Sequence, residues 1–114
     1  MRRKSLEDVV AGHIARNQGL CKLIESKGAD LAVARTIDLL FWADDELAAH
    51  RLAAALRNRG YGKVTLGPTD DEIWSVEVEI NASVAEVVEN GFTEQLAQLA
   101  MDNRGEFDGW GTSV

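Results

Sequence analysis

The sequence predicts an α+β sandwich: a four-stranded antiparallel sheet carrying two helices on one face, with an extra helix ahead of it. Three observations point there. Within Ile73–Ile80, the run from Trp74 onward alternates between apolar and polar residues, the pattern of a strand with one wet face. Other stretches place apolar residues every three or four positions, the spacing of a helix with a single buried stripe. The connections between them are short, and the elements follow in the order α-β-α-β-β-α-β. With 114 residues the chain forms one domain, large enough for a core that uses most of its apolar side chains.

The first helix is predicted from about Leu6 to Lys27. Ser5 and Asp8 form a capping-box variant, and Leu6, Val10, Ile14, Asn17, Cys21 and Ile24 share a stripe, with His13 beside it. Gly28 stops this helix. Such an amphipathic helix must dock, either on its own domain or on a partner. Strand one is Arg35 to Trp42, with Ile37, Leu39 and Phe41 on one side and Thr36, Asp38, Leu40 and Trp42 on the other. Asp44 is the expected N-cap of the next helix, with Asp45 and Glu46 in its first turn, and Ala48, Leu52, Ala55 and Leu56 on its buried stripe. That helix runs to about Asn58, and Gly60 supplies the left-handed residue just past its end.

Lys63 to Leu66 is a short second strand, and Gly67-Pro68-Thr69-Asp70 carries turn chemistry. Strand three, Ile73 to Ile80, sets Trp74, Val76, Val78 and Ile80 against Ser75, Glu77 and Glu79. Ser83 and Glu86 form a capping box for the last helix, whose stripe is Val84, Val88, Phe92, Leu96 and Leu99, with a bend or break expected around Gly91 to Thr93. Asn103-Arg104-Gly105 closes that helix, and Glu106 onward is a fourth strand. The result is a ferredoxin-like β-α-β-β-α-β unit over residues 34–114, preceded by a helix and connection over residues 1–33.

The run Glu106-Phe107-Asp108-Gly109-Trp110-Gly111-Thr112-Ser113-Val114 is too unusual for generic turn chemistry. It resembles the end of the RraB family, protein regulators of ribonuclease E. The strand Arg35–Trp42 running into Ala43-Asp44-Asp45, and the helix closing at Arg59-Gly60-Tyr61, follow the family's order at similar spacing. The resemblance covers about Gln18 to Val114. It implies the same fold and a binding protein rather than an enzyme.

Charge agrees with that expectation. The chain has a net charge of −7, unevenly placed: Met1 to Arg35 carries +3 and Thr36 to Val114 carries −10. An acidic body repels phosphate backbones, because the sequence-independent part of nucleic-acid affinity comes from Lys and Arg. Direct RNA or DNA binding is therefore disfavoured, and a protein with a basic, RNA-binding surface is the complementary partner. The same acidity would also serve solubility alone.

No catalytic, cofactor or metal site can be assembled from the sequence. One cysteine, Cys21, and two histidines, His13 and His50, do not make a structural zinc set, and Cys21 has nothing nearby in sequence to lower its pKa. Asp44 and Asp45 could meet Glu106 and Asp108 across strands as a metal or acid/base site, but helix capping and the turn chemistry of Asp108-Gly109 account for them more simply. Gly60-Tyr61-Gly62 lacks the spacing of a phosphate loop. Met1-Arg2-Arg3-Lys4 could open a signal peptide, yet Glu7 and Asp8 interrupt the position of its apolar stretch, and no run is long enough to span a bilayer. With no disulfide to form, a bacterial cytoplasmic location is expected.

The wet face of strands one and three would show Leu40 and Trp42 among Asp38, Glu77 and Glu79. Aromatics on an open sheet can stack on RNA bases, but stacking needs a positive groove for the phosphates. An apolar anchor ringed by carboxylates suits a basic protein surface instead. Alternatively, the first helix lies over Leu40 and Trp42. Trp110 likewise has two readings: with Phe107 it locks the last strand into the core, or with Asp108 it belongs to a recognition edge. The expected function is a protein-binding regulator of a ribonuclease E-type endoribonuclease, monomeric or weakly dimeric. The alternative is an immunity protein or antitoxin that neutralises a nuclease toxin.

Overall fold

A computed structural model describes residues 5–112; the basic opening Met1–Lys4 and the last two residues of the C-terminal motif, Ser113 and Val114, lie outside them. The elements are α1 (Leu6–Ser26), β1 (Ala34–Ala43), α2 (Glu46–Asn58), β2 (Lys63–Pro68), β3 (Trp74–Ser83), α3 (Val84–Val87), α4 (Asn90–Asp102) and β4 (Gly105–Thr112). The sheet is antiparallel throughout, in the order β2-β3-β1-β4. This is the ferredoxin-like order expected from the sequence, with α1 added.

Period-two patterning decides the two faces. Ile37, Leu39 and Phe41 of β1, Val76 and Val78 of β3, and Phe107 and Trp110 of β4 are buried in one cluster with Ala48, Leu52 and Leu56 of α2 and Leu96 and Ala100 of α4. Their neighbours in sequence turn the other way.

The caps follow elementary rules, with one shift of position. Asp45, not Asp44, is the N-cap of α2: its carboxylate accepts from the Ala48 N–H at 2.8 Å. Asp44 instead donates its backbone N–H to the Arg104 carbonyl at 3.2 Å, across the start of β4. Ser83 and Glu86 form the expected reciprocal capping box, but it opens only the single turn α3. The predicted last helix is therefore two, and the break falls at Val88-Glu89, before Gly91, so that Val87 rather than Val88 is buried. Gly60, at φ 97°, closes α2 in a left-handed conformation, and the Tyr61 N–H reaches back to the Leu56 carbonyl at 3.3 Å.

Two turn expectations are corrected. Gly67 and Pro68 continue β2, paired with Ser75 and Trp74, and the reversal comes afterwards, where the Thr69 N–H and hydroxyl both donate to the Ile73 carbonyl. Proline is tolerated because β2 is an edge strand. Asp108-Gly109 is not a turn but a β-bulge within β4: Leu40 pairs with Gly109 and Phe41 with Phe107, leaving Asp108 as the extra residue. The Asp-Gly pair still marks a positive φ, since Gly109 sits at φ 132°.

Helix α1 is rotated from its predicted phase. Val9, His13, Asn17 and Ile24 are buried, while Val10 and Ile14 are only half-buried. It packs along α4 and against β4 on the helical side of the sheet. The reading in which α1 covers Leu40 and Trp42 is thereby set aside.

Candidate functional site: the open face of the sheet

With α1, α2 and α4 all on one side, the other side of the sheet faces outward. Its side chains form cross-strand rows fixed by the register. In one row Lys63, Glu79, Asp38 and Gly111 stand side by side; in the next, Thr65, Glu77, Leu40 and Gly109; in the third, Gly67, Ser75, Trp42 and Glu106. Asp38, Glu77, Glu79 and Glu106 are exposed, and Leu40 and Trp42 are half-buried between them. The sequence-predicted residues Asp38, Leu40, Trp42, Glu77 and Glu79 thus lie on one contiguous surface. Asp108 is exposed at the bulge beside it. Trp110 is on the covered side, 8% exposed.

The surface is acidic by construction. Asp38 and Glu79 are directly opposite one another on β1 and β3, an arrangement that costs stability through like-charge repulsion. Lys63 offsets part of that: its ammonium donates to Glu79 Oε2 at 2.7 Å, and the carboxylate in turn holds the Lys63 pKa above its ordinary value. Both partners are well exposed, so the pair contributes little to stability. Glu106, Gly109, Gly111 and Lys63 were not assigned to this face from the sequence. Continuing the alternation through β4 would have found Glu106, but the bulge shifts the phase of the two glycines.

Beneath this face, the C-terminal motif meets α1. The Phe107 ring packs against Phe41 and against the His13 ring, with centroids 5.1 and 4.7 Å away. His13 Nε2 donates to the Phe107 carbonyl at 2.7 Å, and Nδ1 accepts from Arg16 at 2.9 Å, an arrangement that requires the neutral ring. Burial, with the Arg16 guanidinium alongside, lowers the His13 pKa from 6.5. The Trp110 indole donates to Asn17 Oδ1 at 2.8 Å, and Asn17 Nδ2 donates to Thr93.

The remaining candidates are dispersed. Arg104 reaches Asp45 at 3.4 Å and Asp44 at 4.0 Å, while Glu106 faces Trp42. Among the described residues no group of three or more His, Cys, Asp or Glu side chains is placed to hold a metal ion. Cys21 is half-buried, and burial raises its pKa, with Glu25 adding to the effect. His50 is exposed on α2, its ring 6.2 Å from that of Trp74. No described helix is long and apolar enough to cross a membrane.

The profile of the RraB family, described as Regulator of ribonuclease activity B, matches residues 14–112, a span that takes in all four strands and most of α1. The chain belongs to the RraB family. A search of the curated proteins finds no match. RraB proteins form a regulatory rather than a catalytic family, and membership implies a protein partner among the proteins of RNA degradation. The region matched contains the whole acidic face and the Asn17–Trp110 contact, and begins one residue after His13.

Proposed function

We propose that this protein regulates a ribonuclease E-type endoribonuclease in the bacterial cytoplasm by binding the enzyme and not its RNA, slowing RNA turnover. The supporting observation is the open face itself, where Leu40 and Trp42 are framed by the carboxylates of Asp38, Glu77 and Glu79. Long-range attraction between the −10 body and a basic region of the nuclease steers the encounter. Docking then buries Leu40 and Trp42 as apolar anchors within a charged rim. An occupied basic region is no longer available to RNA phosphates. Asp108 extends the acidic rim from the bulge, and Trp110 contributes from inside, by holding β4 in position through Asn17.

Two titrations test this, one against labelled RNA alone and one against purified ribonuclease E. Binding to the enzyme that weakens with salt is expected, because screening confines the field to about 8 Å at physiological ionic strength. Glu77→Lys with Glu79→Lys is expected to slow association while leaving the fold intact. Tight binding to RNA alone would overturn the proposal. Binding to neither would shift the reading to an immunity protein directed at another nuclease.

A further inference from the structure

The aromatic-Asp-Gly-Trp-Gly motif is only partly accounted for by folding. Its two aromatic rings point inward, Phe107 to Phe41 and His13, Trp110 to Asn17. Its two glycines lie opposite Leu40 and Asp38 on the outer face. Gly109 has a conformational reason, its φ of 132° at the bulge. Gly111 has none: its φ is not in the left-handed range, and a Cβ built there would meet nothing within 4 Å. Glycine inside a strand weakens it, offering no side chain to pack against its neighbours. Here it also forgoes a cross-strand partner for Asp38, which instead faces the like charge of Glu79.

What the two glycines create is space. From Gly109 to Gly111 the outer face of β4 is bare backbone, a ledge one strand wide beside the taller side chains of β1. Leu40 walls it, Asp38 flanks one end, and Asp108 with Glu106 flanks the other.

We propose that this ledge seats a Lys- or Arg-bearing segment of the protein partner, its backbone lying close over Gly109 and Gly111 and its cationic side chains reaching Asp38, Asp108 and Glu106. This rests on the reading above that the open face meets a basic protein, and it assigns Gly111 a role in binding. Charge selects the occupant. A second copy of this chain meeting it ledge to ledge would set carboxylates against carboxylates, and a nucleic acid would set phosphates against them.

The test uses the isotope-labelled full chain and a short synthetic arginine-rich peptide, with amide shifts read by NMR. The expected result is that the peptide moves the amides of Gly109, Gly111, Leu40 and Asp38. Gly111→Val, which suits a strand, is expected to fold like the parent and to bind the peptide about tenfold more weakly or worse. Glu94→Gln, at an exposed position of α4 in the helical layer, is expected to leave binding unchanged. Shifts confined to the helical layer, no binding of the peptide, or undiminished binding by a folded Gly111→Val would each overturn the proposal. Should Gly111→Val fail to fold, the shift map of the parent decides. Repeating the titrations with ribonuclease E separates the two readings. A peptide that lands on the ledge while the enzyme does not bind removes only the identity of the partner; an enzyme that binds Gly111→Val as well as the parent removes only the ledge.

Discussion

The indole N–H of Trp110 donates to the side-chain oxygen of Asn17 at 2.8 Å, joining the last strand to the first helix across 93 positions of sequence. Both groups are buried, and Asn17 passes the connection on to Thr93 of α4. A polar contact of this kind is costly to break from one side, because the abandoned partner stays out of water. Asn17→Leu and Trp110→Phe are each expected to destabilise by about 1–3 kcal/mol in denaturant unfolding. The double variant, leaving neither group stranded, should lose less than the sum of the two, and strict additivity would show that the bond carries no coupling.

His13 makes stability depend on pH. Its folded-state pKa lies below the unfolded value of 6.5, so the unfolded chain binds the proton more readily. The contribution is fully present above about pH 6.5 and is lost progressively as pH falls toward the lowered folded value. Thermal unfolding followed from pH 7.5 downward should show this decline, and His13→Gln should flatten that part of the profile. An unchanged profile would mean that the carboxylates, not His13, govern it.

Gly105 and Gly109 are needed for different reasons. A Cβ on Gly105 would lie 2.6 Å from the Trp42 carbonyl oxygen and 3.2 Å from a Leu52 methyl, where β4 enters the sheet. Gly105→Ala is expected to cost about 1–3 kcal/mol through forced backbone movement. Gly109 has open space around it but a φ of 132°, so Gly109→Val should cost more than about 1 kcal/mol through strain alone. Asn at 109 should be milder than Val, and Asn at 105 no milder than Ala; the reverse order would show that the two constraints have been exchanged.

Asp38 and Glu79 are opposed across β1 and β3, and relieving them should stabilise the fold. Asp38→Asn is expected to raise stability by about 0.5 kcal/mol at low salt, with a smaller gain at high salt. The same change should weaken association with a basic partner. A variant that gained stability and kept full binding would remove Asp38 from the interface.

Most of the fold was legible because period-two alternation in β1 and β3 leaves one choice of buried face, and because the register then places Asp38, Leu40, Trp42, Glu77 and Glu79 together. The phase of α1 was not. Val10 and Ile14 mark the more apolar stripe, yet the first half of the helix docks through Val9 and His13 beside it, with Asn17 the stripe residue that stays buried, since what β4 offers is a carbonyl and an indole N–H. Hydrophobic periodicity cannot register a seam held by hydrogen bonds. Asp108-Gly109 announced positive φ but not whether the chain would reverse or bulge, because the same local conformation serves both. Asp44 and Asp45 are equally good caps in sequence; the Arg104 carbonyl, waiting for the Asp44 N–H, decides between them.

The contact of α1 with β4 also orders events during synthesis. His13 and Asn17 leave the ribosome long before Phe107 and Trp110 exist to receive them, and the Phe41 side of β1 waits just as long for its neighbour. Pairing so distant in sequence makes for slow closure of the fold. A nascent chain halted before Gly105 would carry an α1 held by α4 alone, without its hydrogen bonds to β4, and an unpaired β1 edge, a species exposed to chaperone capture or degradation. The outward face of the sheet, with Glu106 opposite Trp42, is therefore complete only when the last strand arrives.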